Sequence, residues 1–191
     1  MIESTRDIPV YLEVGAKRTF AGGLDWPGWC RRGTDEASAL QALADYGERY
    51  AHVLAGTTLA FHPPADSSAL TVVERLAGNS GTDFGAANVP PACDADPFDT
   101  TDLARAHTVL EAIWRAFDIA IATGTGKELS KGPRGGGREL EKIVLHVLES
   151  DAGYLSRVAQ NVPAGATADL ATRRALTRQT MLETLEAGAR G

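Results

Sequence analysis

The chain has 191 residues, 19 Lys+Arg against 25 Asp+Glu for a net charge of −6 at pH 7, and is 43% hydrophobic but only 6% aromatic. That length suits one domain or two small ones. A mean hydropathy near zero, without an apolar run of about 18 residues, argues against a membrane span. The acidic balance argues against binding to a phosphate backbone, so neither nucleic acid nor membrane is an expected partner. Cys30 and Cys93 are too few for a disulfide scaffold or a structural zinc site. The first seven residues lack the positive-then-apolar order of a signal peptide, which makes a reducing, cytoplasmic setting the expectation.

In chain order, residues 8–14 and 18–24 read as two short strands joined by the turn Gly15-Ala16-Lys17. A third strand, 29–32, follows the turn Trp26-Pro27-Gly28. Gly33-Thr34-Asp35 leads into a helix over 36–54, where Ala39, Leu40, Leu43, Tyr46, Tyr50 and Val53 recur at three- and four-residue steps. Residues 70–76 read as a returning strand. Over 77–98 the density of Gly, Asn, Ser, Pro and Asp is too high for a helix or a central strand, and the domain boundary is placed there.

The second half reads as three helices. The first runs from Thr100-Thr101-Asp102 to about residue 122, with Leu103, Leu110, Trp114, Phe117 and Ile121 within about 40° of one line. The second spans 138–158, with Leu140, Ile143, Val144, Val147, Leu148, Tyr154, Leu155 and Val158 on a broad apolar face. The third spans 169–187 and carries Leu170, Ala171, Ala175, Met181, Leu182 and Leu185. The fold class expected is therefore α+β: a β-β-β-α-β unit over 1–78, a linker over 79–98 and a helical bundle over 99–191.

Two resemblances sharpen this. The segment Gly23-Leu24-Asp25-Trp26-Pro27-Gly28-Trp29-Cys30-Arg31-Arg32-Gly33-Thr34-Asp35-Glu36-Ala37 resembles the N-terminal signature of HicB-like proteins, a strand, a Pro-Gly-Cys-like turn, a strand and a capped helix. It implies the small β-β-β-α-β fold, which in antitoxins occludes a partner nuclease. Trp26 and Trp29 are additions to that pattern.

The segment His146-Val147-Leu148-Glu149-Ser150-Asp151-Ala152-Gly153-Tyr154-Leu155 resembles the second helix of the DinB/YfiT-like four-helix bundles. The resemblance implies that His146 ligates a divalent metal such as Zn or Ni, with a low-molecular-weight thiol as cosubstrate. The family's other two ligands come from an H-x3-H pattern on its last helix. The four histidines here are His52, His62, His107 and His146, so that pattern does not occur and the last helix of such a bundle is expected to be missing.

Several residues invite both a chemical and a structural reading. His146 lies on the flank of its helix's stripe, suited to a neutral imidazole ligand or to a partly buried hydrogen-bonded histidine. Asp151 falls about 140° from His146, among Val144, Leu148 and Leu155, where a carboxylate must be paired, ligating or protonated. His107 faces the core of its own helix and reads as a satisfied core histidine. The Gly-rich loop 127–138 brings Arg134 and Arg138 to a helix N-terminus, an arrangement that can hold an anion or remain a solvated loop. Cys30 beside Arg31 and Arg32 is either an activated thiol or a half-buried structural one, and the latter is favoured because no histidine accompanies it. Trp26 and Trp29 form a local clamp or an exposed contact patch.

Two functions follow as expectations. One is a metal-dependent enzyme of thiol or small-molecule metabolism, with His146 on the metal and Trp114, Asp151, Tyr154, Arg134 and Arg138 around the pocket. The other is a non-catalytic module that binds a small molecule or a protein in the same pocket without a metal. Three amphipathic helices leave an apolar groove that a fourth helix, the N-terminal unit or a second copy must cover, so a homodimer is one expected assembly.

Overall fold

The computed structural model describes residues 7–130, 139–158, 160 and 169–190. Strands β1 (Ile8–Val14) and β2 (Thr19–Gly23) pair antiparallel from Val14↔Thr19 to Val10↔Gly23. Strand β3 (Cys30–Gly33) pairs antiparallel with β2. Strand β4 (Leu70–Ala77) lies parallel to β1 on its other side, completing the order β3-β2-β1-β4. A parallel return needs a crossover, and α1 (Glu36–Asp45) and α2 (Gly47–Leu54) supply it. The register slips once, between Val10↔Val72 and Tyr11↔Glu74, leaving Val73 as an extra, exposed residue of a bulge.

Side chains alternate across the sheet. Val10, Leu12 and Ala21 are fully buried on the face that α1 covers with Ala39 and Leu43. Trp29 is fully buried and its Nε1–H donates to the Leu43 carbonyl at 3.1 Å. Phe61 packs edge-on against Trp26, Trp29 and Tyr50, with ring centroids 4.8, 5.0 and 4.9 Å away. The two tryptophans are therefore the inner clamp of this unit, and Phe61, in the loop before β4, closes it.

The single helix expected over 36–54 is broken at Tyr46, whose N–H turns back to Leu43. Gly47 is buried there against Pro63 and Pro64, and an added Cβ would come within 2.9 Å of the Pro64 ring. The break thus falls where the loop carrying Pro63 and Pro64 packs against the one residue at this point without a side chain.

Residues 79–98 also differ from the bare linker expected. They contain a short helix, α3 (Ser80–Phe84), capped by Asn79 and closed by Gly85 at φ +117°. The chain divides into the units Met1–Pro97 and Phe98–Gly191, so residues 79–97 belong to the first unit. What holds it is Glu13, fully buried on the face of the sheet opposite α1. Its Oε1 accepts the Thr82 hydroxyl, and its Oε2 accepts the backbone N–H groups of Asn88 and Val89 at 2.9 and 3.1 Å. Glu74 accepts the Ala92 N–H at 3.1 Å on the same face.

The second unit consists, among the described residues, of α4 (Thr100–Gly124), α5 (Leu140–Arg157) and α6 (Leu170–Ala189), each packed on the other two. Asp99 caps α4 by accepting from the N–H groups of Thr101 and Asp102, and Asp169 caps α6 by accepting from that of Thr172. Helix α5 buries Val144, Leu148 and Leu155, while Tyr154 and Val158 stand exposed. On α6 the buried residues are Thr177 and Thr180, whereas Ala171 and Ala175, expected on the apolar face, are exposed. Both threonine hydroxyls donate to the carbonyl four residues earlier, at 2.9 Å, which makes them tolerable inside. No helix among the described residues is long and apolar enough to cross a membrane.

Candidate functional site

An open groove of about 500 Å³ runs along α4 in the helical unit, beside Arg178 of α6. Glu111, Trp114, Arg115, Asp118, Ile119 and Ala122 line it at three- and four-residue steps on one side of α4. Asp118 takes both terminal nitrogens of Arg178 at 2.8 Å in a fork, and Arg174, one turn earlier on α6, adds a contact at 3.5 Å. The planar guanidinium of Arg178 also lies 5.3 Å from the centre of the Trp114 ring. A fork-held arginine fixes its own orientation, so the indole has a rigid cationic neighbour. The Arg178 hydrogen bonds, followed by the charges of Arg178 and Arg174, hold the Asp118 carboxyl below its usual range against the opposing effect of burial.

The residues singled out in sequence scatter around this groove. Trp114 lines it. Asp151 is partly buried on the same stripe of α5 as Leu148 and Leu155. Burial pushes its carboxyl up, and Arg178 pulls it back down by its charge. Asp151 and Asp118 thus share one arginine, bound directly by Asp118 and felt at longer range by Asp151.

His146 is exposed on α5. Tyr154 is 64% exposed, with Arg157 over its ring. Neither belongs to the groove lining. Arg134 and Arg138 lie outside the described residues. Among the described residues no three His, Cys, Asp or Glu side chains converge as a metal centre would require, so the residues on view do not assemble a site for Zn or Ni around His146. His107 keeps its Nε2 buried with no hydrogen-bond partner among the described residues, unlike the satisfied histidine expected.

In the first unit, burial pushes the Cys30 thiol up despite its bond to the Tyr11 hydroxyl, and the Arg31 charge lowers it only weakly. Arg31 instead stacks on Tyr46, 3.0 Å from the ring centre. The structural reading of Cys30 fits this setting.

Sequence reasoning passed over Asp118, Arg174 and Arg178. Their only local signal is the four-residue spacing of the two arginines, which places both on one side of α6. Which carboxylate they meet depends on how α6 packs against α4, and one sequence carries no record of that. No family model matches the chain, and neither a curated protein nor a solved structure matches it significantly.

Proposed function

We propose that the helical unit is a non-catalytic module that holds a small molecule with a planar apolar part in the groove along α4. The observation that supports this is the Trp114–Arg178–Asp118 arrangement: an indole in an open groove, backed by a cation that a bidentate carboxylate keeps in place. An aromatic wall beside a small set of orienting charged groups is common in small-molecule sites, and here Glu111, Arg115, Asp118 and Arg178 supply those charges. Ile119 and Ala122 extend its apolar part.

The metal-dependent thiol enzyme of the DinB type rests on the segment 146–155 alone, with His146 as its ligand. Elemental analysis of the purified chain separates the two readings. Protein without stoichiometric metal, folding unchanged on His146→Ala, supports the binding module. Near-stoichiometric Zn or Ni that disappears in the variant overturns it in favour of the enzyme. The groove itself is probed with an anilinonaphthalene sulfonate dye, whose affinity, read from a fluorescence titration, should fall about fivefold in Trp114→Ala if the indole is the wall (about 1 kcal/mol of contact).

A further inference from the structure

The N-terminal unit brings two arginines from different strands to one point. Arg18 precedes β2, and Arg32, in β3, pairs across from Phe20, so by alternation both lie on the face opposite α1. Their Nη1 atoms are 2.5 and 3.0 Å from the position a Cβ on Gly85 would occupy, and so stand no more than about 5.5 Å apart, the two distances end to end. Only glycine leaves that space open, and at φ +117° only glycine adopts the backbone without strain.

The Arg18 guanidinium donates to the Phe84 carbonyl at 2.6 Å, which fixes its direction and leaves further N–H groups to donate. Among the described residues, Arg32 makes no hydrogen bond or ion pair, and no carboxylate lies within ion-pair distance of either arginine. Asp83, close by in sequence, is engaged by the Lys17 backbone N–H. In a chain with more acidic than basic residues, two adjacent guanidiniums with no carboxylate in ion-pair distance among the described residues leave room for an external anion. Beside them stands Phe84, 86% exposed, the most exposed large hydrophobic side chain among the described residues.

We infer that Arg18, Arg32 and Phe84 form a binding site for a small phosphate monoester that carries an aromatic ring. A dianionic phosphate offers oxygens enough for both forks and replaces guanidinium repulsion by two charge-assisted contacts. The ring of the ligand would lie on Phe84, where stacking needs no polar partner. The amides of Gly85 and Ala86 already turn back to the carbonyls of Gly81 and Thr82, so recognition of the charge falls to the arginines.

The test is a titration of the full chain with phenyl phosphate and, separately, inorganic phosphate, followed by amide and guanidinium NMR signals. Saturable shifts centred on Arg18, Arg32 and Gly85 are expected, with phenyl phosphate the tighter by about fivefold. Arg32→Gln should weaken phenyl phosphate about tenfold, with the remaining spectrum unchanged. Phe84→Ser should erase the preference for phenyl phosphate while inorganic phosphate binds as before. Absence of saturable binding, shifts located elsewhere, or undiminished affinity in Arg32→Gln would overturn the proposal.

Discussion

Removing the Glu13 carboxylate leaves a buried hydroxyl and two backbone N–H groups without their acceptor. Unsatisfied buried donors are costly, so Glu13→Ala should lose about 3 kcal/mol in urea unfolding, and the amides of Asn88 and Val89 should lose their protection from hydrogen exchange. Asp151 is expected to act in the other direction. Its carboxyl is raised by burial above the ordinary 3.8, so holding it ionised costs stability at every pH above its folded value. That cost fades as pH falls through the raised value toward 3.8, where the unfolded chain is protonated as well. Asp151→Asn should therefore melt higher than the parent at pH 7 and converge with it in acid; a lower melting temperature at pH 7 would show that the Arg178 charge outweighs burial. The helical period placed Asp151 on a buried stripe, because that inference needs only residues within two turns. Glu13 was invisible by the same standard, since its partners lie 69 to 76 positions away.

Helices α4 and α6 are tied at Asp118. Because the carboxyl is held low there, its contribution is present above the ordinary 3.8 and disappears as pH falls through the folded value. With the side chain 40% exposed, solvent screening limits that contribution, and Asp118→Asn should cost about 1 kcal/mol at pH 7 in thermal unfolding and nothing in strong acid. Element positions were largely legible because their signals are local. Alternation and turn residues marked β1 to its ends at Ile8 and Val14, and Thr100-Thr101-Asp102 marked the start of α4. The apolar face of α6 was not legible: Thr177 and Thr180 look like surface residues until their hydroxyls are seen to bond the preceding turn. Likewise, Tyr46 continues the helical spacing of α1, and the approach of Pro63 and Pro64 to Gly47 at the break lies too far along the chain to be read locally.

The whole chain is two units, and the boundary matters for any attempt to work with one. A fragment cut after residue 78 strands the Glu13 carboxylate inside the sheet without Thr82, Asn88 or Val89. A fragment ending at Pro97 keeps them. The longer fragment should give the dispersed NMR spectrum of a folded unit and the shorter should not; equal dispersion in both would show that the capture by Glu13 is dispensable. The same feature sets an order of events during synthesis. The strand that carries Glu13 leaves the ribosome early, yet its charge has no place to settle until the polypeptide has been extended past Val89. All four strands are by then already translated, so the N-terminal unit waits, nearly assembled, for a short piece of chain that looks like a spacer.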